Sequence, residues 1–290
     1  VPVVTHTEAE IASQPACWAR AAELAADAPL PQPGERVAVV GCGTSWFIAQ
    51  AYAALREASG QGETDAFAAS EFPSGRAYDR VLALTRSGTT TEVLALLTAV
   101  DTPTVAITAD PATPVMTAAG EVIVLDFADE RSVVQTRFAT TQLALLRANL
   151  GEDLTGAIAD AELALSDDLG DLVDAEQYTF LGRGWTNGLA AEAALKMREA
   201  ARAWTESYPA MEYRHGPISI AGPGRVTWML GPAPDGLAAE VVGCGGTFAE
   251  SGRDPLAELV KIQRVAVARA LARGLNPDEP LHLTRSVILP

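Results

Sequence analysis

The stretch Thr85-Arg86-Ser87-Gly88-Thr89-Thr90-Thr91-Glu92 gathers hydroxyls, a glycine and a cation between two apolar runs, RVLAL and VLALLTAV. Part of it reads as a helix start, since Thr89 and Glu92 have capping-box spacing and Gly88 permits the turn. Thr85, Arg86, Ser87 and Thr90 are left over. Donors of this kind at a helix N-terminus, where free amides and the macrodipole already favour negative charge, suit a phosphate with its acceptor oxygens. Phosphate binding is therefore favoured over capping alone.

A second turn, Gly41-Cys42-Gly43-Thr44-Ser45, also follows an apolar strand. It fails the dinucleotide fingerprint GxGxxG, because Trp46 stands where the third glycine belongs. Taken alone it is a tight turn with Thr44 or Ser45 as an ordinary N-cap. In an open α/β sheet, however, ligands bind at the carboxyl ends of the strands, so the two turns share a rim if their strands are neighbours. Gly43, Thr44 and Ser45 are then candidate ligand residues beside Thr85, Arg86, Ser87 and Thr90. The corresponding place in the second half of the chain is GPAPDG, without hydroxyls, which predicts one phosphate site per chain.

Glu192, Lys196 and Glu199 fall on one face of an Ala-rich helical segment. By spacing alone they are a solvated salt-bridge stripe. His215, one of only three histidines, sits before a Gly-Pro turn in ESYPAMEYRHGPISI, read here as a polar loop leading to an apolar run. Combined with the carboxylate helix it suggests acid/base chemistry, with a glutamate moving a carbon-bound proton and a histidine an oxygen-bound one. Glu206, Tyr208 and Glu212 are plain polar loop residues on this reading. Neither a metal-ligand spacing nor a GxSxG elbow is present; no metal and no cofactor are expected.

These groups must be held by something. The 290 residues are 48% hydrophobic and carry a formal charge of −16, which argues against a nucleic-acid groove or an anionic membrane surface. Three scattered cysteines fit a reducing compartment, the cytoplasm by default, and neither a signal-peptide pattern nor a membrane-length apolar run appears. Residues 1–34 read as an N-terminal helical arm and Pro-rich linker, with Thr7 and Glu10 as a capping box and Pro15 in the first turn of a second helix. From residue 35 short apolar strands at 37–40, 81–85, 102–108 and 121–126 alternate with helix-length amphipathic segments, which predicts a mostly parallel sheet covered on both faces. An acidic helical bridge at 157–177 precedes a restart, with Gly182-x-Gly184 and a helix ending MRE echoing Gly41-x-Gly43 and a helix ending LRE. The division expected is 1–34, 35–156 and 157–290, the last including the tail LNPDEPLHLTRSVILP.

In their order, EIASQP, GCGTS, SEF, TRSGTT, TRFATTQ, FLGRG, EAALKMRE, ESYPAMEYRHGP and LTRSV resemble the sugar isomerase (SIS) domain family, specifically tandem-SIS proteins similar to the isomerase half of glucosamine-6-phosphate synthase. The resemblance covers nearly the whole chain and implies two tandem flavodoxin-like α/β modules. It implies that Thr85, Ser87 and Thr90 hold a phosphate, that GCGTS holds sugar hydroxyls and that Val134, Gln135 and Thr136 close one side. Glu199 matches the base that moves a proton between C1 and C2, with Lys196 on the same helix, and His215 matches a ring-opening histidine supplied by the neighbouring subunit of a homodimer.

The chain begins at Val1 without the synthase's glutaminase domain, so no ammonia supply from glutamine is expected. Arg285 stands where the synthase has a lysine; arginine stays protonated and forms no Schiff base, yet it can cover the sugar or bind phosphate. Arg86 replaces a glutamine, and two readings stand, a fork onto phosphate or a side chain in solvent. The function expected is aldose-ketose isomerisation of a hexose or amino-sugar 6-phosphate. The alternatives are a deaminase/isomerase or deglycase acting on a phosphorylated amino sugar, and a non-catalytic sugar-phosphate sensor.

Overall fold

The computed structural model describes residues 4–290; Val1, Pro2 and Val3, which open the expected arm, lie outside the described residues. The chain runs α1 (His6–Ala12), α2 (Gln14–Leu24), β1 (Val37–Gly41), α3 (Thr44–Ala58), β2 (Thr64–Ala68), β3 (Arg80–Leu84), α4 (Thr91–Ala99), β4 (Thr104–Thr108), α5 (Val115–Ala118), β5 (Glu121–Val124) and α6 (Arg137–Asn149). It continues through α7 (Thr155–Ala164), β6 (Gln177–Gly182), α8 (Thr186–Ala201), β7 (Trp204–Pro209), β8 (Arg225–Met229), α9 (Leu237–Gly243), β9 (Thr247–Ala249) and α10 (Pro255–Ala272). The result is an α/β fold with two parallel sheets flanked by helices.

Contacts divide the chain into two compact units. One holds Ala16–Glu130, Arg137–Leu154 and Thr284–Pro290; the other holds the segment ending at Pro15, Arg131–Thr136 and Thr155–Leu283. Sequence placed the boundary at 156/157 and the whole tail in the second module. By contacts the main break falls between Leu154 and Thr155, and Thr284–Pro290 goes with the first sheet, because the tail's backbone bonds to Thr91.

The first unit is built on a parallel sheet in the order β2-β1-β3-β4-β5. Strands β1 and β4 are buried at every position, which is why they read as continuous apolar runs rather than alternating ones. On one face Ala38, Val40, Val81, Ala83 and Ala106 form a core with Val93 and Leu97, spaced i, i+4 on α4, and with Val115 of α5. Strand β2, TDAFA, has no counterpart in the sequence reading: only Thr64 is buried, and an edge strand with so little apolar content gives no periodic signal.

The second unit has a parallel sheet in the order β7-β6-β8-β9. Helix α8 packs on β6, β7 and α10, and α10 also carries α1 and α7. The stretch taken as a polar loop is in part strand β7, paired along its length with β6 from Gln177↔Trp204 to Gly182↔Pro209, so Glu206 and Tyr208 are edge-strand residues. The capping box of α1 is Thr5 with Glu8, not Thr7 with Glu10; Thr7 and Glu10 lie inside the helix and turn to other partners. Among the described residues no helix is long and apolar enough to cross a membrane.

Candidate active site

Within the first unit, β1 and β3 are adjacent and parallel, and β2 lies on the far side of β1, so the strand order reverses between them. The crevice at such a reversal, beyond the carboxyl ends of the strands, is where open α/β sheets bind ligands. Both turns singled out from the sequence leave the sheet here. At the first, a Cβ on Gly41 would lie 2.7 Å from the Ser45 backbone carbon, and Gly43 takes φ +56°, so both positions require glycine. Thr44 and Ser45 are buried at the start of α3.

At the second turn Thr85 N–H donates to the Ile107 carbonyl at 3.0 Å, Ala109 N–H to the Arg86 carbonyl at 3.1 Å and Val115 N–H to the Gly88 carbonyl at 3.2 Å. Neighbouring β4 and α5 therefore mould it. Gly88 sits at φ +63°, and a Cβ there would come within 2.1 Å of Thr113 Oγ1. The capping box expected of Thr89 and Glu92 is not formed: Thr90 is the N-cap of α4 without a side-chain cap bond, and Thr89 Oγ1 bonds Ser286 Oγ at 2.8 Å. Ser87 Oγ lies 3.5 Å from Thr90 Oγ1 and accepts from Thr89 N–H at 3.2 Å. Thr85 Oγ1 is buried with no hydrogen-bond partner, a state that costs about 1–3 kcal/mol unless a ligand fills it.

Arg86 takes neither position expected of it. Its guanidinium is buried in an ion pair with Glu130, Nη1 to Oε2 at 3.1 Å, with side-chain exposures of 3% and 0%. The other Glu130 oxygen accepts from Arg137 N–H at 2.8 Å. Arg285 follows the same pattern, bonding the Glu130 carbonyl and the Asp129 carboxylate, while its own carbonyl accepts from Arg86 Nη2 at 3.4 Å. Thr91 N–H donates to the Val287 carbonyl at 3.2 Å, and Leu289 N–H to Thr91 Oγ1 at 2.9 Å. The tail is thus sewn along the 85–90 turn. Glu130 carried no sequence signal, being one acid among many with its partner 44 residues away.

In the second unit the glycine turn recurs: Gly184 has φ +56°, the value of Gly43, and a Cβ on Gly182 would lie 2.3 Å from the Thr186 carbonyl oxygen. The helix after it carries the carboxylate stripe, and the stripe is not solvated. Glu192 and Lys196 are 0% and 1% exposed, and Lys196 Nζ bonds Glu199 Oε2 and lies 3.4 Å from Glu192 Oε1. One ammonium between two carboxylates leaves a net negative charge, with Glu199 the member that reaches solvent, at 18% side-chain exposure. His215 is exposed, on a short 3-10 turn (Glu212–His215) ending at Gly216 with φ +130°. Val134 is buried, and Gln135 is half-buried with Oε1 lacking a hydrogen-bond partner.

No family model matches the chain. It is 28% identical over 87% of its length to a glutamine–fructose-6-phosphate aminotransferase (isomerizing) from Methanothermobacter thermautotrophicus, and 29% identical over 87% to the one from Gloeobacter violaceus. The chain spans about half the length of these curated relatives, 51% and 52%. The fold is shared with a glucosamine-6-phosphate deaminase from Thermotoga maritima, at TM-score 0.82 and 24% identity over 98% of this chain and all of that one. It is shared too with the C-terminal domain of glucosamine-fructose-6-phosphate aminotransferase from Francisella tularensis, at 0.83 and 19% over 96% and 99%.

Proposed function

We propose that this chain, which resembles the isomerase half of the glutamine–fructose-6-phosphate aminotransferases, interconverts the aldose and ketose forms of a hexose or amino-sugar 6-phosphate. The observation that carries the reading is the 85–90 turn: a buried, unpartnered Thr85 hydroxyl with Ser87 and Thr90 beside it, ahead of a helix whose N-cap makes no side-chain capping bond, at the reversal of the strand order. The order β2-β1-β3-β4-β5 supports a flavodoxin-like first module, and the repeated glycine turn supports a tandem origin for the second.

In this reading the Glu199 carboxylate takes the proton from C2 of the ring-opened aldose as the C1 carbonyl gains one on oxygen, giving an enediol. It returns the proton to C1 as the C2 hydroxyl loses its own. Lys196 holds Glu199 in place, since its own burial requires both carboxylates. Neither step consumes a redox equivalent. Arg285 covers the site as part of the tail and forms no imine. His215, exposed on its turn, is offered to a second copy for ring opening, so the working form proposed is a homodimer. Free Cys17, Cys42 and Cys244 support a cytoplasmic setting.

The test is exchange of the C2 hydrogen of fructose 6-phosphate's aldose partner, or of glucosamine 6-phosphate, with solvent deuterium. Glu199→Gln should abolish exchange and keep binding; equal loss of both sinks the assignment of Glu199 as base. Ammonia released in step with turnover would move the reading to a deaminase/isomerase. Tight binding without exchange by the wild-type chain would move it to a sensor.

A further inference from the structure

We propose that the cavity between α4 and the segment 69–76 is a ligand site in the first unit, separate from the 85–90 turn, that takes an organic ammonium ion with an apolar body. The cavity measures about 640 Å³, within the range of small-molecule sites, and every residue that lines it lies in one compact unit. Its walls are largely apolar. Ala95, Leu96, Ala99 and Val100 supply the α4 side, and Phe72 supplies the other. Phe72 is held by aromatic neighbours, edge to face with Phe67 at 5.8 Å and 5.9 Å from Tyr78, so this wall is formed before any ligand arrives.

Glu92 decides the charge of the ligand. It also lines the cavity, and it is free of the capping role its spacing suggested. Among the described residues its half-buried carboxylate makes no hydrogen bond or ion pair, and Oε2 is buried without a partner. The positive end of the α4 dipole favours an acid at this place but leaves both oxygens without a donor, and an unpaired carboxylate is costly to bury. Two neighbours stand near enough to matter, and neither answers the charge. Arg76, on the cavity lining, is engaged by Asp65, Nη1 to Oδ2 at 3.5 Å, with its guanidinium 5.8 Å from the Phe67 ring. Cys42 offers no cation, and its thiol is pushed up by burial and then by the Glu92 charge. Asp101 adds a second acid to the lining. An ammonium brings three donors together with the missing positive charge, and its hydrocarbon body covers the apolar walls. An anion would meet two carboxylates and one arginine already matched to an acid.

The experiment is calorimetric titration of the full chain at about 0.15 M salt, with phenethylammonium as the probe and phenylacetate, an aromatic ion of similar size and opposite charge, as its counterpart. The probe should bind once per chain with a Kd of about 1 mM, and phenylacetate at least about tenfold more weakly. Glu92→Gln should weaken the probe about tenfold or more. Ala95→Phe, which fills the cavity from an exposed position of α4, should block it with the melting temperature unchanged. Probe binding that survives Glu92→Gln would show attraction to the chain's overall charge alone, and equal binding of phenylacetate would show a pocket without charge selection; either result overturns the proposal. Binding that survives Ala95→Phe would place the probe elsewhere, and no saturation by about 20 mM probe would show that no such site exists. The titration uses no sugar phosphate, so its outcome and that of the isomerase reading are read independently.

Discussion

Replacing Glu130 with glutamine tests how the 85–90 turn is built. The Arg86 guanidinium and the Glu130 carboxylate meet at 3.1 Å with 3% and 0% of their side chains exposed. Glu130→Gln leaves a buried cation against a neutral amide, and removing one partner of a buried ion pair costs about 3–5 kcal/mol, against about 0–1 for a surface pair. Arg86→Gln instead takes the buried cation from the carboxylate, which Arg137 N–H still reaches. The double replacement sets amide against amide and should cost less than either single change, a coupling of about 2 kcal/mol or more. At about 2–4 °C per kcal/mol, each single variant should melt about 10 °C below wild type and the double variant should recover part of that.

The assay is thermal unfolding of the four proteins, paired with calorimetric titration of fructose 6-phosphate. Because Arg86 is occupied by Glu130, Arg86→Gln should change sugar-phosphate affinity by less than about threefold once the protein is folded. Single variants within about 1 kcal/mol of wild type would refute the argument from burial. So would an Arg86→Gln protein that melts normally and binds sugar phosphate more than about tenfold less well, since Arg86 would then be a phosphate ligand.

Gly88→Ala should cost about 1–2 kcal/mol from the left-handed backbone alone, with a further clash against Thr113 Oγ1, and should cut sugar-phosphate affinity more than about tenfold; normal calorimetric affinity would show the turn's shape to be irrelevant. A His215→Ala chain allowed to exchange subunits with a Glu199→Gln chain should regain about a quarter of wild-type activity, because half the dimers are mixed and each mixed dimer has one complete site. An inactive mixture would remove His215 from the neighbouring site. Asp167 is held down to about 2, chiefly by its Arg253 hydrogen bonds, one of them 2.7 Å, against burial, which raises it. A depressed carboxyl stabilises the fold above its unfolded value of 3.8 and ceases to as pH falls towards 2, so the stability gap between wild type and Arg253→Ala should be steady at neutral pH and close between about pH 4 and 2. A gap that persists at pH 2 would place Arg253's contribution elsewhere.

Strands β1, β3 and β4 are legible because burial on both faces leaves an apolar run that little else produces. β2 and β7 are not, because they carry exposed polar residues such as Asp65 or Glu206 that read as loop, whereas the edge strand β5 keeps the apolar run 122–124. Capping illustrates a different limit. Thr5 with Glu8 and Thr7 with Glu10 have the same spacing, and local rules cannot choose between them; the choice follows from amides at 131 and 132 that only Glu10 reaches. Glu192, Lys196 and Glu199 likewise look the same whether wet or buried. The signal lay in the flanking alanines, Ala190, Ala193, Ala194, Ala200 and Ala201, all buried, which let neighbouring elements close over the charges.

The charge distribution bears on how, under the proposed reading, a chain of formal charge −16 would take a phosphate. Two arginines lie beside the turn, and both are matched to acids, Arg86 to Glu130 and Arg285 to Asp129. The donors that the proposed reading leaves for the ligand are neutral, the hydroxyls of Thr85, Ser87 and Thr90. Such a turn gains its selectivity from geometry, since a hydroxyl or amide helps only at hydrogen-bond distance, whereas a free guanidinium attracts any anion from a Debye length away. On the proposed reading, the glycine at 88, the missing side-chain cap on α4 and the buried arginine would each leave hydroxyls of the turn to a docked phosphate.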